Sequence, residues 1–319
     1  MIRRLPLIAT LSTYILIFLG VLVVGFDAGL ACSDWPLCNG RIVPPMEGII
    51  LVEFTHRTFS SLTGLLIVWN AVVLWRNNPS DRLVRILAVT SVVLLILVAV
   101  MGGVNVLNKL PSGLTAIDMA LAVLLLAVLV VLTVRVGRNA GSDTVETTYE
   151  SVDKLNRMKG MYKPALLTAG AVYLETLVGG FLKHSSAAHT YVHPEAPLAK
   201  ELVTTYNVAE IVMYVHMLTA FLVVLALFLL LVYARKQKVF FKQSMSILLL
   251  LGLQIFLGFF SLVTKLELLT TTAHMAVASA MVWISVHIAA SAKFSETKLI
   301  AASPSEDQFP FNRTVVTNG

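Results

Sequence analysis

The sequence predicts an all-α membrane protein, with eight transmembrane helices forming two pseudo-symmetric four-helix bundles. Composition gives the class. Hydrophobic residues make up 57% of the chain, charged residues only 13%, and the mean hydropathy is +0.83; a soluble domain carries about 25% charged residues. Run length gives the count. A bilayer core takes roughly 20 apolar residues per helix, and eight such runs stand near 6–26, 52–74, 86–107, 114–134, 164–182, 208–233, 244–264 and 270–291. Repetition gives the architecture, because the polar residues inside these runs recur at a near-constant separation.

The first run follows Arg3 and Arg4, as a signal peptide would. It exceeds the about 7–15 apolar residues of a cleaved leader and reads as an uncleaved span. The second opens on Glu53-Phe-Thr-His56-Arg57, the fourth carries Asp118 in "TAIDMALA", the sixth carries His216, and the eighth carries His274 in "TTAHMAVA". His56 and His216 sit near equivalent ends of spans two and six, and Asp118 and His274 sit early in spans four and eight. "VVGFDAGLAC" (23–32) and "LVGGFLKHSSAAH" (177–189) likewise close spans one and five. The chain therefore divides into an N-terminal half (1–136), a polar linker (137–163), a C-terminal half (164–292) and a tail (293–319). Four spans per half preserve orientation, so the pseudo-two-fold axis runs along the membrane normal.

Eighteen of the 24 Lys and Arg residues fall on one side of this topology and six on the other. The positive-inside rule then places both termini and the linker in the cytoplasm of a multi-pass cell-membrane protein. The net charge of +6 follows from topology and leaves no nucleic-acid footprint; the partner it implies is the lipid bilayer, and an oligomer is compatible with it.

On that orientation "GLACSDWPLCNG" (29–40), which holds both cysteines of the chain, is extracytoplasmic. Disulfides persist there, and Cys32 and Cys38 can bridge around the turn-forming Asp-Trp-Pro. A structural staple and a redox-active or substrate-handling thiol pair both fit the spacing. His216 and His274, at matched depth on two helices, suit bis-histidine ligation of a haem iron; two unrelated histidines bonded to neighbouring helices are the alternative. Glu53 and His56, three residues apart, share a helical face, and Arg57 could pair with a haem propionate through its planar fork. Met213, His216 and Met217 fill the equivalent positions, so the acid and the arginine belong to the first half alone. His287 reads as structural. His184, His189 and His193 crowd the third outer loop, as solvated side chains or a metal site.

These residues resemble the haem A synthases, eight-span proteins of two four-helix halves. The resemblance covers all eight spans. It is most specific at the cysteine loop together with "EFTHRTFSSLTG" (53–64). It implies oxidation of a ring methyl of haem O to the formyl group of haem A, for terminal haem–copper oxidases. Haem O as substrate would occupy the first half, with Glu53 and His56 catalytic and Arg57 and Asp118 in the pocket. Haem b would occupy the second half, its iron between His216 and His274. Haem O synthase as donor and an electron acceptor would be the partners, and the cysteine pair would take part in haem handling. This chain departs from the family pattern in three places. Asp118 stands where a second first-half histidine is usual, and Met217 where an arginine commonly follows the histidine. The third outer loop lacks the cysteine pair of some members. Two other classes remain open on the residues: a haem-carrying electron-transfer protein without the synthase reaction, and a duplicated proton-coupled transporter.

Overall fold

The computed structural model describes residues 4–139, 149–195, 203, 205–266 and 268–302. The first half comprises α1 (Leu5–Gly25), α2 (Gly48–Asn77), α3 (Arg82–Leu107) and α4 (Ser112–Asn139). After α5 (Tyr149–Gly160), the second half comprises α6 (Tyr162–His184), the short α7 (Ala187–Val192), α8 (Tyr206–Gln237), α9 (Phe241–Val263) and α10 (Leu268–Ala302). Eight of these helices are long and apolar enough to cross a membrane, as the run lengths predicted. The predicted polar linker differs in part: its residues 149–160 form α5, which packs against α10. Linker residues 140–148 and tail residues 303–319 lie outside the described residues.

Within the first half α1 packs on α2 and α4, and α3 joins α2 to α4. The second half repeats this ring with α6, α8, α9 and α10. The halves meet through α4 against α10, α4 against α6 and α1 against α10, the set of contacts that a two-fold axis between α4 and α10 generates. Leu62, Leu65 and Trp69 of α2 and Leu218, Phe221 and Phe228 of α8 stay exposed. Apolar side chains on that outer face have lipid as their natural surroundings.

The duplication is written in the backbone as well. Lys109 and Leu110 end α3 with φ of 60° and 57°, and Lys265 and Leu266 end α9 with 55° and 68°. In each case the leucine amide turns back to a carbonyl five residues earlier, Asn105 or Ser261, at 2.7 Å, satisfying a helix-end acceptor. Two tyrosines cross between the halves. Tyr14 of α1 donates to the Ala276 carbonyl of α10 (3.5 Å), and Tyr173 of α6 donates to the Ala120 carbonyl of α4 (3.1 Å). Each acceptor lies two residues beyond the polar residue of its helix, His274 or Asp118. Two N-terminal anchors are local to the first half: Asp81 caps α3 by accepting from the Leu83 and Val84 amides and also accepts from Arg135 Nε at 2.9 Å.

Candidate functional site

A glycine makes room for each of the span histidines His56, His216 and His274. The His56 ring lies over Gly20 of α1, where a Cβ would come within 3.2 Å of Cε1. His216 lies in the same way over Gly179 of α6 (3.1 Å) and His274 over Gly258 of α9 (3.0 Å). An imidazole can approach a helix backbone this closely only where no side chain intervenes. The fourth place in the repeat belongs to Asp118 and Gly102. There the shorter carboxylate leaves space, and a Cβ on Gly102 would meet nothing within 4 Å.

The Nδ1 atoms of the three rings have different surroundings. His274 Nδ1 meets the Gln254 carbonyl at 3.0 Å, so a proton there leaves Nε2 free to ligate. His216 Nδ1 lies 3.0 Å from Glu175 Oε1 of α6, an ion-pair approach off the hydrogen-bond direction. The other oxygen of Glu175 accepts from Thr219, which is buried. His56 Nδ1 is buried with no hydrogen-bond partner among the described residues. The second half is therefore not without an acid, as position-by-position comparison with Glu53 suggested. Its carboxylate comes from α6 and not from α8, which a comparison of spans two and six could not detect. The available signal was Glu175 itself, an ionisable residue in mid-span.

The first-half acid has a definite task. Glu53 is buried. Its Oε1 pairs with Arg57, and its Oε2 accepts from the Cys32 amide at 2.7 Å. Arg57 also donates to the carbonyls of Asp34 (2.7 Å), Leu37 (2.7 Å) and Cys32 (3.0 Å). The Arg57 guanidinium holds the cysteine loop, because the loop turns its carbonyls down onto the start of α2. Cys32 and Cys38 form a disulfide, with Cα atoms 4.5 Å apart. The Trp35–Pro36 peptide is cis, and the Trp35 ring covers Gly103 of α3, where a Cβ would come within 2.9 Å of it. The loop is a lid fastened to α2 by charge and to α3 by an indole. At its tip, the amides of Gly40 and Asn39 donate to Asp34, holding its carboxyl below the usual carboxylate range.

Asp118 Oδ2 lies 3.4 Å from Asn105 Nδ2 of α3, and its Oδ1 is buried with no hydrogen-bond partner among the described residues. Arg57 is engaged by the cysteine loop, and Asn105 is itself buried, its Oδ1 likewise without a partner among the described residues. Nothing in the sequence repeat marked Asn105, whose counterpart is Ser261. Of the loop histidines, the His189 and His193 rings tilt against each other at 4.9 Å, while His184 ends α6. No group of three or more metal-ligating side chains gathers among the described residues.

The match that decides kinship covers residues 3–286: the COX15-CtaA family, described as cytochrome oxidase assembly protein. The chain belongs to this family. Similar proteins named heme A synthase include one from Staphylococcus haemolyticus, 28% identical over 59% of this chain and 62% of that protein. Another, from Bacillus licheniformis, is 28% identical over 59% of this chain and 60% of its own length. The match to both thus spans less than two thirds of the relative. A third, from Staphylococcus saprophyticus subsp. saprophyticus, is 26% identical over 85% of this chain and 90% of the relative. In this member of the cytochrome oxidase assembly protein family the repeat supplies two sets of polar residues on one plan. One has His56 and Asp118 at the repeat positions, with the cysteine loop fastened to the start of α2; the other has His216 and His274, with Glu175 and the Gln254 carbonyl beside their Nδ1 atoms.

Proposed function

We propose that this protein is an oxidoreductase of haem A biosynthesis that oxidises the ring methyl of haem O to a formyl group, giving haem A for terminal oxidases. The observation that carries the reading is the unequal pair of pockets in a chain of this family. The second pocket fits a resident haem b. His216 and His274 come from two helices, their rings lie over Gly179 and Gly258, and their Nδ1 atoms stand beside Glu175 and the Gln254 carbonyl, which leaves each Nε2 to ligate. They would hold the iron. Haem b so held supplies one-electron redox chemistry.

The first pocket would take the substrate. His56 orients the ring from α2, and Asp118 and Asn105 stand on the α3–α4 side with free acceptor oxygens. Glu53, paired with Arg57, keeps the disulfide-closed lid down and so excludes bulk water. As the acid nearest His56 in sequence, it is also the base this reading assigns. Converting the methyl to a formyl group takes up the oxygen of one water and releases four electrons and four protons, so a water admitted to the site and an electron acceptor are required co-reactants, and haem O synthase would be the donor of substrate. The charge bias supports cytoplasmic termini and an outer lid.

Expression with a haem O supply, followed by haem extraction and mass analysis, tests the proposal: haem A must appear, and must not appear with His56→Ala. One observation favours a second reading. With Asp118 in place of a fourth histidine, a haem protein that only transfers electrons would show the second-half haem and form no haem A.

A further inference from the structure

We propose that Glu175 is a positioning residue for His216, fixing which ring nitrogen faces the second pocket and making this histidine a more electron-rich ligand than His274. The inference rests on the reading of that pocket as a haem site. Glu175 lies four residues before Gly179 on α6, so one helical face carries both the floor under the His216 ring and the carboxylate 3.0 Å from its Nδ1. Gln254 stands four residues before Gly258 on α9, and there the backbone carbonyl meets His274 Nδ1 at the same 3.0 Å. Four residues before Gly20 on α1 comes Leu16, and His56 Nδ1 has no hydrogen-bond partner among the described residues. One design therefore has three versions: a carboxylate, a carbonyl and neither.

Thr219 completes the arrangement. It lies one turn beyond His216 on α8, and its hydroxyl reaches Glu175 Oε2. The carbonyls of Val215 (3.0 Å) and His216 (3.1 Å) are also near, but a hydroxyl has one proton to give. Given to the carboxylate, it holds Oε2 and turns Oε1 toward the imidazole. An ionisable group within a membrane span is costly without partners, and His216 and Thr219 are the partners the structure provides. The approach lies off the hydrogen-bond direction, so the carboxylate acts on the ring through its charge: beside the far nitrogen of a ligating histidine it favours the proton there and raises the ligand's basicity, which favours the oxidised metal.

The test is redox titration and low-spin spectroscopy of the purified full-length protein with its haem. Glu175→Gln keeps the shape but removes the negative charge; the midpoint potential is expected to become more positive, with haem retained. Thr219→Val frees Oε2 from its donor and leaves the carboxylate to His216 alone; the potential is expected to move in the opposite direction. If Glu175→Gln fails to retain haem, the sign of the Thr219→Val shift decides. Unchanged potential and spectrum in these variants, with a haem that still disappears in His216→Ala, would overturn the role of Glu175 and leave the haem site standing. A haem signal indifferent to His216→Ala would instead overturn the site and the inference with it.

Discussion

Alanine at Gly258 and alanine at Gly102 are the same substitution at equivalent places in the repeat, and they should behave oppositely. At Gly258 the new methyl would stand 3.0 Å from His274 Cε1, where ordinary contact begins at 3.4 Å, so the ring must yield by about 0.4 Å. It cannot turn away cheaply, because its Nδ1 is tied to Gln254 on the same helix as the methyl. Overpacking of this kind costs about 1–3 kcal/mol, equivalent to about 5–150-fold in haem affinity. At Gly102 the methyl meets nothing within 4 Å, and replacing a mid-helix glycine by alanine contributes about 0.5–1 kcal/mol of helix stability. Optical titration of haem into the purified variants reads the difference: Gly258→Ala weakens binding and broadens the low-spin spectrum, while Gly102→Ala leaves both unchanged. In an Asp118→His background, however, Gly102→Ala should become harmful, because an imidazole would then fill the space. Full haem affinity in Gly258→Ala, or a loss in Gly102→Ala alone, would refute the glycine-floor reasoning.

Asp118→His should place a second imidazole over Gly102 and convert the first pocket to a low-spin, two-histidine site, seen as added low-spin haem when substrate is supplied. Asp118→Ala should lose haem A formation and keep the second-half haem. Cys32 and Cys38 should resist thiol labelling until reductant is added; labelling of both in protein prepared without reductant would disprove the bridge. Glu53→Gln leaves Arg57 without its buried counter-charge, a loss of about 3 kcal/mol by analogy with broken buried pairs. Limited proteolysis within 29–40 should accelerate, and haem A should not form. Lastly, the Asp34 carboxyl is held below the roughly 3.9 of the unfolded chain. Its contribution to the loop tip is therefore present above that pH and lost as pH falls through the folded value. Protease sensitivity of the tip should rise on acidification in the parent protein and show no such step in Asp34→Asn.

The span count and the duplication were legible because lipid imposes a length and a composition on every crossing segment. His56, Asp118, His216 and His274 announced themselves because ionisable groups are scarce in such segments. The glycines under the rings were not legible: Gly20, Gly179 and Gly258 look like the ordinary small residues of membrane helices until a ring is seen above them. The hold of Arg57 on the loop was illegible for a related reason. Sequence spacing put it beside a pocket, but the carbonyls that claim it belong to a loop 20 residues or more upstream, and loop backbone leaves no pattern in side-chain identity. Glu175 was visible as a letter and overlooked because its counterpart in the first half is the apolar Leu16. Repeats reveal what is kept, and this acid is where the copies differ.

The crossing tyrosines give the duplication a consequence of its own. Tyr14 grips the helix that bears His274, and Tyr173 grips the helix that bears Asp118, so each copy keeps a hand on the other's working part. A copy that drifted freely would have to release that grip or carry its twin along. The two pockets have specialised while still shackled at the wrist, and neither can be rebuilt in isolation: any change that rotates α4 or α10 is felt at once across the seam.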